Sequence, residues 1–431
     1  MTIDYQKLRL DGIYQQDAQG NLMLRIKIPA GVLSSPQAEA ISTISEQVGT
    51  GVLHLTTRGS VELHGLRYEQ LAEVFRRLAA VGLSSRGACG GAVRGIACST
   101  TFSPAFAVCQ PVARNLNRHF AGNPHFEGLP KKFKIGIDGD YTGSRHLIQD
   151  VGLVYVGHDE EDQPLFDVWC AGGLGREPQA GFLLEKAVPE ERLIGLIEAI
   201  VQVYRDNTPP PKRLKFLLGQ VGEEAFRALL DEALAQVGPL ARQRSLAGSL
   251  TQTQGKVVEA VIFAGEIPAV QFRHLAAIAR SEAGGFMALT ADQNVALHLV
   301  PAADYGRVYE QLVAAGFAGE ASEQQVCLRV CPGSHECRMG LSATRDVSRQ
   351  LLGALSEKGR MLRFAVSGCP NSCSQVQLAD VGVLTSGQRK DDQGQRQPLF
   401  TLYRRQGEGL GSAVAENLTL DELLKIIQRI E

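Results

Sequence analysis

Nine cysteines are spread along the chain, and five of them fall between positions 327 and 373. In CLRVCPGSHEC (327–337), Cys331 and Cys337 form a C-x5-C pair; in SGCPNSC (367–373), Cys369 and Cys373 form a C-x3-C pair. Four thiolates from two loops can close a tetrahedral set around zinc or hold the corners of a four-iron cluster. Zinc pairs favour two to four intervening residues, so the longer first spacing weighs against zinc. Pro332, Gly333, Pro370 and Asn371 keep the thiols on tight turns, where backbone N–H groups can point at sulfur and tune a cluster's potential. Of the remaining cysteines, Cys109 and Cys170 are expected to be small buried apolar residues and Cys327 a bystander. Cys89 and Cys98 lie among glycines in RGACGGAVRGIAC and are expected to pack or to allow close approach. An odd thiol count in a chain of this size does not look like a disulfide framework, whereas a close thiol cluster points to metal.

A second set of candidates is cationic. Lys132 and Lys134 alternate in KFK, so on a strand both project to one face while Phe133 points to the core. Their setting is an internal duplication at a constant offset of 234 residues, which lays 52–83 over 286–317 without a gap. Thr56 meets Thr290, His64 meets His298, and upstream Gly31 meets Gly265. A fainter echo lays KFKIGIDGD (132–140) over MLRFAVSGC (361–369) and DVGLV (150–154) over DVGVL (380–384). Repeats of this kind decide architecture. The copies differ where chemistry resides: Arg25 becomes Glu259, Arg58 becomes Asp292, and the thiols stand only in the second copy, where the first has the lysine pair.

The elements that must position these residues read, in each copy, as strand, helix, strand pair, helix. In the first copy these are LMLRIKI (22–28), AEAISTISEQV (38–48), VLHLTT and VELHGL around Arg58–Gly59, and the amphipathic YEQLAEVFRRLAAVG (68–82). Each unit leaves one apolar sheet face, so the two copies are expected to pack on each other. The proline-rich NTPPPKRLKF and the helical run after it, 207–254, are expected to connect the halves.

Composition closes off several classes of function. Lys plus Arg number 44 against 46 Asp plus Glu, a net charge of −2, so no general basic field favours nucleic acid or a membrane surface. No run approaches the ~20 apolar residues that span a bilayer. MTIDYQKLRLDG lacks a basic stretch followed by an apolar one, so a cytoplasmic location is expected. GACGG (87–91) does not fit G-x-G-x-x-G, and no flavin or nicotinamide module is evident.

The C-x5-C pair followed by SGCPN-x-C resembles the signature of the sirohaem-dependent sulfite and nitrite reductase family. LMLRIKIPAG (22–31), LHLTTRGSVELHGL (53–66), AVRGIAC (92–98) and LPKKFKIGID (129–138) agree with it, in the family's order and across nearly the whole chain. The resemblance implies an α+β, internally duplicated fold with two ferredoxin-like half-domains (1–83 and 255–318) and two larger α/β domains. Of the latter, 84–206 would bind sirohaem and substrate and 319–431 would bind the [4Fe-4S] cluster and sirohaem, with 207–254 as the connector. It implies a [4Fe-4S] cluster on Cys331, Cys337, Cys369 and Cys373, with Cys373 bridging to the sirohaem iron. It also implies that Arg25, Arg94, Lys132 and Lys134 line the face where the anion binds. Clustered cations repel and lower the lysine pKa values, so the lysines, or waters they hold, are expected to supply protons as oxygens leave. Thr56 and Arg58 match positions that hold sirohaem carboxylates. His54 stands where arginine is common and would pair a carboxylate more weakly; His64 and His298, aligned with each other, are expected to be structural. Gly59–Ser60 and Gly95 depart from the family's usual residues.

Within that resemblance, Lys134 favours sulfite, because nitrite-reducing members tend to carry a neutral residue there and two lysines suit a dianion. Nitrite would be a second substrate, and a ferredoxin or a flavoprotein subunit would supply electrons. A precorrin-3B synthase-like enzyme shares the RGS and IDGD features but is disfavoured by CPNSC and Lys134. A non-catalytic electron-transfer subunit is disfavoured by retention of all four cations.

Overall fold

The computed structural model describes residues 3–99, 101–236, 256–317 and 326–430. The duplicated units fold as two small sheets that exchange strands. The first sheet runs Ile13–Gln15, Leu22–Ile26, Val61–Leu66, Val52–Leu55, and is completed by Glu266–Pro268 from the second copy. The second runs Val257–Ala260, Val295–His298, Phe286–Leu289, and is completed by Val32–Ser34 from the first. Val32–Ser34 and Glu266–Pro268 are related by the same offset of 234, so the exchange is reciprocal. Glu266 pairs with His54, and Phe286 with Ser34.

The crossing is made possible by one left-handed turn in each copy. Ala30 and Gly31 have φ of 53° and 76°, and Ala264 and Gly265 have 57° and 66°. A side chain at Gly265 would meet the Leu55 carbonyl at 2.7 Å, so the position requires glycine for close approach as well as for its φ. The helix Ser35–Val48 starts at once after the exchanged strand. Ser34 Oγ accepts the Gln37 N–H, and the Gln37 side chain accepts the Ser34 N–H, a reciprocal cap with Pro36 inside the first turn. This helix lies against its counterpart Ala269–Glu282, tied by Arg273 to Glu46 at 2.6 Å. Leucines, isoleucines and valines of both copies form one core. The expectation of two packed copies holds, and strand exchange binds them more tightly than face-to-face packing would.

Each copy continues into a larger sheet of the same topology. The first is Ala97–Ser99, Ile135–Asp138, Val151–His158, Pro164–Cys170, Phe182–Pro189; the second is Leu328–Val330, Phe364–Ser367, Val381–Lys390, Arg396–Arg404, Ser412–Leu418. In both, the first three strands are parallel and the rest antiparallel. Helices Phe106–Phe120 and Glu190–Asn207 cover the first sheet; Thr344–Ala354 and Leu420–Ile427 cover the second.

Two expectations need correction. The regular strand begins at Ile135, and KFK precedes it, with only Phe133 bridged, to Val93. The alternation nevertheless holds, since Phe133 is fully buried and both lysines are half-buried. The segment 207–254 is not simply a connector. The helix Leu214–Gln236 buries Leu214, Leu217, Phe226, Leu230 and Ala233 in the core of the first large domain, because its apolar stripe finds a partner there. Residues 237–254 lie outside the described residues. Among the described residues no helix is long and apolar enough to cross a membrane.

Candidate active site

The cations and the thiols come from opposite ends of equivalent sheets. Arg94, Lys132 and Lys134 precede the parallel strands of the first large sheet, whereas Cys331, Cys369 and Cys373 follow those of the second. The loops converge: Lys132 and Lys134 both feel the charge of Cys373, and Thr57 Oγ1 donates to the Cys373 carbonyl at 3.1 Å.

Neither lysine Nζ has a hydrogen-bond or ion-pair partner among the described residues. Burial brings the Lys132 ammonium down to about 8, with Cys373 opposing and Arg213 and Arg94 adding to the fall. Lys134 lies well below the ordinary lysine range, again through burial, then through Lys132, Arg58 and Arg213. Arg94 is buried, and its guanidinium donates to the carbonyls of Gly87 (3.2 Å) and Gly90 (2.8 Å). The glycine-rich loop 87–91 thus cradles a cation with carbonyl oxygens. Arg25 stands opposite Glu62 in register and donates to its Oε1 through Nε (2.8 Å) and Nη2 (2.5 Å). Its Nη1 reaches Cys89 Sγ at 3.6 Å, so Cys89, buried as expected, also borders the cationic group. Among the described residues, six cationic side chains (Arg25, Arg58, Arg94, Lys132, Lys134, Arg213) meet two carboxylates, Glu62 and Asp150, in this region. Such a cup is made for anions.

The residues of HLTTR sit differently from expectation. Thr56 Oγ1 accepts the N–H groups of Arg58 (3.4 Å) and Ser60 (3.0 Å), so it builds its own turn, and the neighbouring Thr57 is the one that faces the thiol loop. Arg58 donates to Gln149 Oε1 (2.7 Å) and to the carbonyls of Gly95 (2.9 Å) and Ile135 (3.0 Å), clasping the first large sheet. Two of its five N–H donors, Nε–H and the second on Nη1, have no partner among the described residues. His54 is 3% exposed, and burial takes its ring down to about 3. It is neutral at physiological pH and cannot act as a cationic carboxylate partner; its Nε2 faces Gln293. His64 and His298 are part of the packing, His298 stacked on Phe106 at 4.1 Å.

The four thiols lie within electrostatic reach of one another. Burial and the neighbouring thiols push Cys331 far up and Cys337 up to about 11; burial also raises Cys369. A metal bound by these thiols would reverse that penalty, since metal binding deprotonates its ligands. Yet no three His, Cys, Asp or Glu side chains among the described residues converge on one point closely enough to hold a single ion. Backbone N–H groups face the sulfurs, Gly368 to Cys331 at 3.1 Å, Met339 to Cys337 and Asn371 to Cys369. The first thiol loop closes on itself through glycine, since a side chain at Gly340 would lie 2.2 Å from the Gly333 carbonyl carbon, and it touches the second loop through glycine too, since one at Gly368 would lie 2.9 Å from Gly333 Cα.

Comparison with known proteins decides the family. The description "Nitrite/Sulfite reductase ferredoxin-like half domain" matches residues 14–81 and 250–315, and "Nitrite and sulphite reductase 4Fe-4S domain" matches 92–237. The ferredoxin–nitrite reductase of Synechococcus elongatus is 30% identical over 402 residues, covering 87% of this chain and 78% of that one. The chain belongs to the nitrite and sulfite reductase family. It is an oxidoreductase of that family, an α+β protein with two ferredoxin-like half domains and a 4Fe-4S domain. The sulfite reductase [ferredoxin] 2 of Mycolicibacterium paratuberculosis is 26% identical over 443 residues, covering 95% of this chain and 78% of that one. The solved structure of the Mycobacterium tuberculosis NirA protein has the same fold, with a TM-score of 0.83 at 23% identity over 98% of this chain and 85% of that one.

Three residues of the site escaped sequence reasoning. Arg213 follows a proline run and reads as a solvated linker cation, but it is buried and paired with Asp150 at 2.7 Å. Thr57 had no signal apart from its neighbour. Gln293 had one, since it replaces Gly59 in the repeat. It is 1% exposed and joins the halves, donating to the carbonyls of Leu55 (2.8 Å) and Val330 (3.0 Å) and accepting the Val330 N–H (2.7 Å).

Proposed function

We propose that this chain reduces sulfite to sulfide, with nitrite as a second substrate, using a sirohaem and a [4Fe-4S] cluster and electrons from ferredoxin. The carrying observation is the pair of half-buried lysine ammonium groups without partners that face Cys373. When bound, the two cofactors supply single electrons and an iron site for the anion. Cys331, Cys337, Cys369 and Cys373 would hold the cluster, with Cys373 shared between the two groups. Arg58 keeps Nε–H and one Nη1–H for a sirohaem carboxylate.

The protein's own residues do the rest. Arg94 and Arg25 are held rigidly by carbonyls and by Glu62, so they orient an anion without reorganising. Lys132 and Lys134 are free to move toward it. Sulfite takes up six electrons and seven protons to leave as hydrosulfide and three waters, so the site must deliver protons repeatedly. A lysine brought down to about 8 gives up its proton and regains it from solvent near neutral pH. A dianion also returns the electrostatic penalty of two ammonium groups more fully than a monoanion does, which supports sulfite over nitrite.

The test is a steady-state comparison of kcat/KM for sulfite and nitrite with reduced viologen, on protein showing the intense visible bands of sirohaem. Preference for sulfite is expected; a higher kcat/KM for nitrite overturns the assignment.

A further inference from the structure

We infer that Arg213 is a positioning residue: it neutralises the Asp150 carboxylate that would otherwise capture Lys134, and so leaves the Lys134 side chain free for the anion. This rests on the reading of Lys132 and Lys134 as anion-binding lysines.

The duplication shows what happens without such a residue. Lys134 and Asp150 correspond to Arg363 and Asp380 in the second copy. In both, the aspartate Oδ2 accepts the backbone N–H of the residue just before the parallel strand, Lys134 at 2.7 Å and Arg363 at 2.9 Å. In the second copy the side chain of that same residue folds back onto the aspartate, Arg363 Nη2 to Oδ1 at 3.0 Å and Nε to Oδ2 at 3.3 Å. In the first copy the cationic partner arrives from elsewhere. Arg213 Nη2 lies 2.7 Å from Asp150 Oδ2, with side chains 7% and 0% exposed, and Lys134 Nζ is left without a partner among the described residues.

Arg213 is held in place by its surroundings. It donates to the Gly172 carbonyl at 3.3 Å, and a side chain at Gly173 would stand 2.4 Å from its Nη1, so the backbone there is bare to admit the guanidinium. Asp150 Oδ1 has no hydrogen-bond partner among the described residues, so Arg213 is the ion pair that keeps this buried charge compensated. With Arg213 gone, Arg58 and Lys215 act on Asp150 through space, and Lys134, carried on the same backbone clip from which Arg363 makes its pair, can turn onto the open Oδ1.

The experiment uses the cofactor-loaded enzyme and reads the sulfite dissociation constant from the perturbation of its visible spectrum, alongside kcat/KM. Arg213→Met is expected to weaken sulfite binding about tenfold, the scale of coupling between residues in one charge network. Adding Asp150→Asn removes the captor and is expected to restore most of the loss, and Arg213→Lys to stay close to wild type. In a Lys134→Met background, Arg213→Met is expected to cost nothing further. If the Asp150→Asn change deepens the loss, or the Arg213→Met loss persists in the Lys134→Met background, the role acts through something other than Lys134 and the proposal is wrong. If Lys134→Met alone leaves sulfite binding unchanged, the reading of the cup fails, and the proposal with it. Should Arg213→Met not load its cofactors, Arg213→Gln, which keeps donors for Gly172 and Asp150 but drops the charge, enters the same cycle with the same expected outcomes.

Discussion

Lys132→Ala should cost sulfite turnover by an amount that can be worked from the empty cup. Burial and the surrounding cations bring the ammonium from 10.5 down to about 8, which makes it about 3 kcal/mol harder to form than in water. Water still reaches this half-buried side chain, so about 2 kcal/mol is the lower bound after screening. An anion in the cup offsets that penalty, so the ammonium's contribution to its binding is of the same order. Losing it should lower kcat/KM for sulfite roughly 30- to 150-fold. The pH dependence follows in sign. A lysine with a depressed value is charged below about 8 and neutral above it, so sulfite affinity of the wild type should fall as pH rises through about 8. In the variant that limb disappears. Lys134, relieved of its strongest like-charge neighbour, should titrate at higher pH. The assay is kcat/KM against pH with reduced viologen, on protein with unchanged visible spectrum and iron content. A fully loaded variant whose kcat/KM stays within about threefold of wild type would remove Lys132 from the anion site.

Three further outcomes are expected. Cys373→Ser should lower iron, acid-labile sulfide and the sirohaem bands together, read by metal analysis and an optical scan, whereas loss of only one group would show that this thiol is not shared. Gly368→Ala sets a methyl 2.9 Å from Gly333 Cα of the other loop and should drive the two thiol loops apart, so purified protein should lack the cluster; full iron content would show that the loops can shift without cost. Gln293→Ala strands two carbonyls and an N–H at the junction of the halves, so it should destabilise by about 2–3 kcal/mol in denaturant titration. A midpoint equal to wild type would show that the junction does not depend on it.

The division of labour between the copies has a geometric origin. Equivalent sheets present opposite strand ends to one another, so the starts of the parallel strands in the first copy face the ends of those in the second. Positions related by the repeat therefore never occupy the same place in the site. Arg58 and Asp292 show it: the first clasps Gly95, Ile135 and Gln149, while the second pairs with Arg145 at 2.8 Å and Arg329 at 3.0 Å, and Arg329 in turn holds the Ser374 carbonyl beside Cys373 at 3.0 Å. One serves the cup and the other the thiol loop.

What the chain's order of residues decided unaided was local and periodic. Apolar alternation set the strands around Arg58–Gly59, the offset of 234 set the duplication, and the spacing of Cys331, Cys337, Cys369 and Cys373 set a thiol cluster on turns, because these signals depend only on neighbours along the chain. Contacts between distant segments needed the folded chain. The reciprocal strand exchange, the burial that leaves His54 neutral, the hydrogen bond from Thr57 to the Cys373 carbonyl, and the recruitment of Arg213 from a proline-led segment all arise where two stretches far apart in sequence meet. A side chain's charge and partners are set by what surrounds it in space, and a buried arginine and a solvated one are spelled with the same letter.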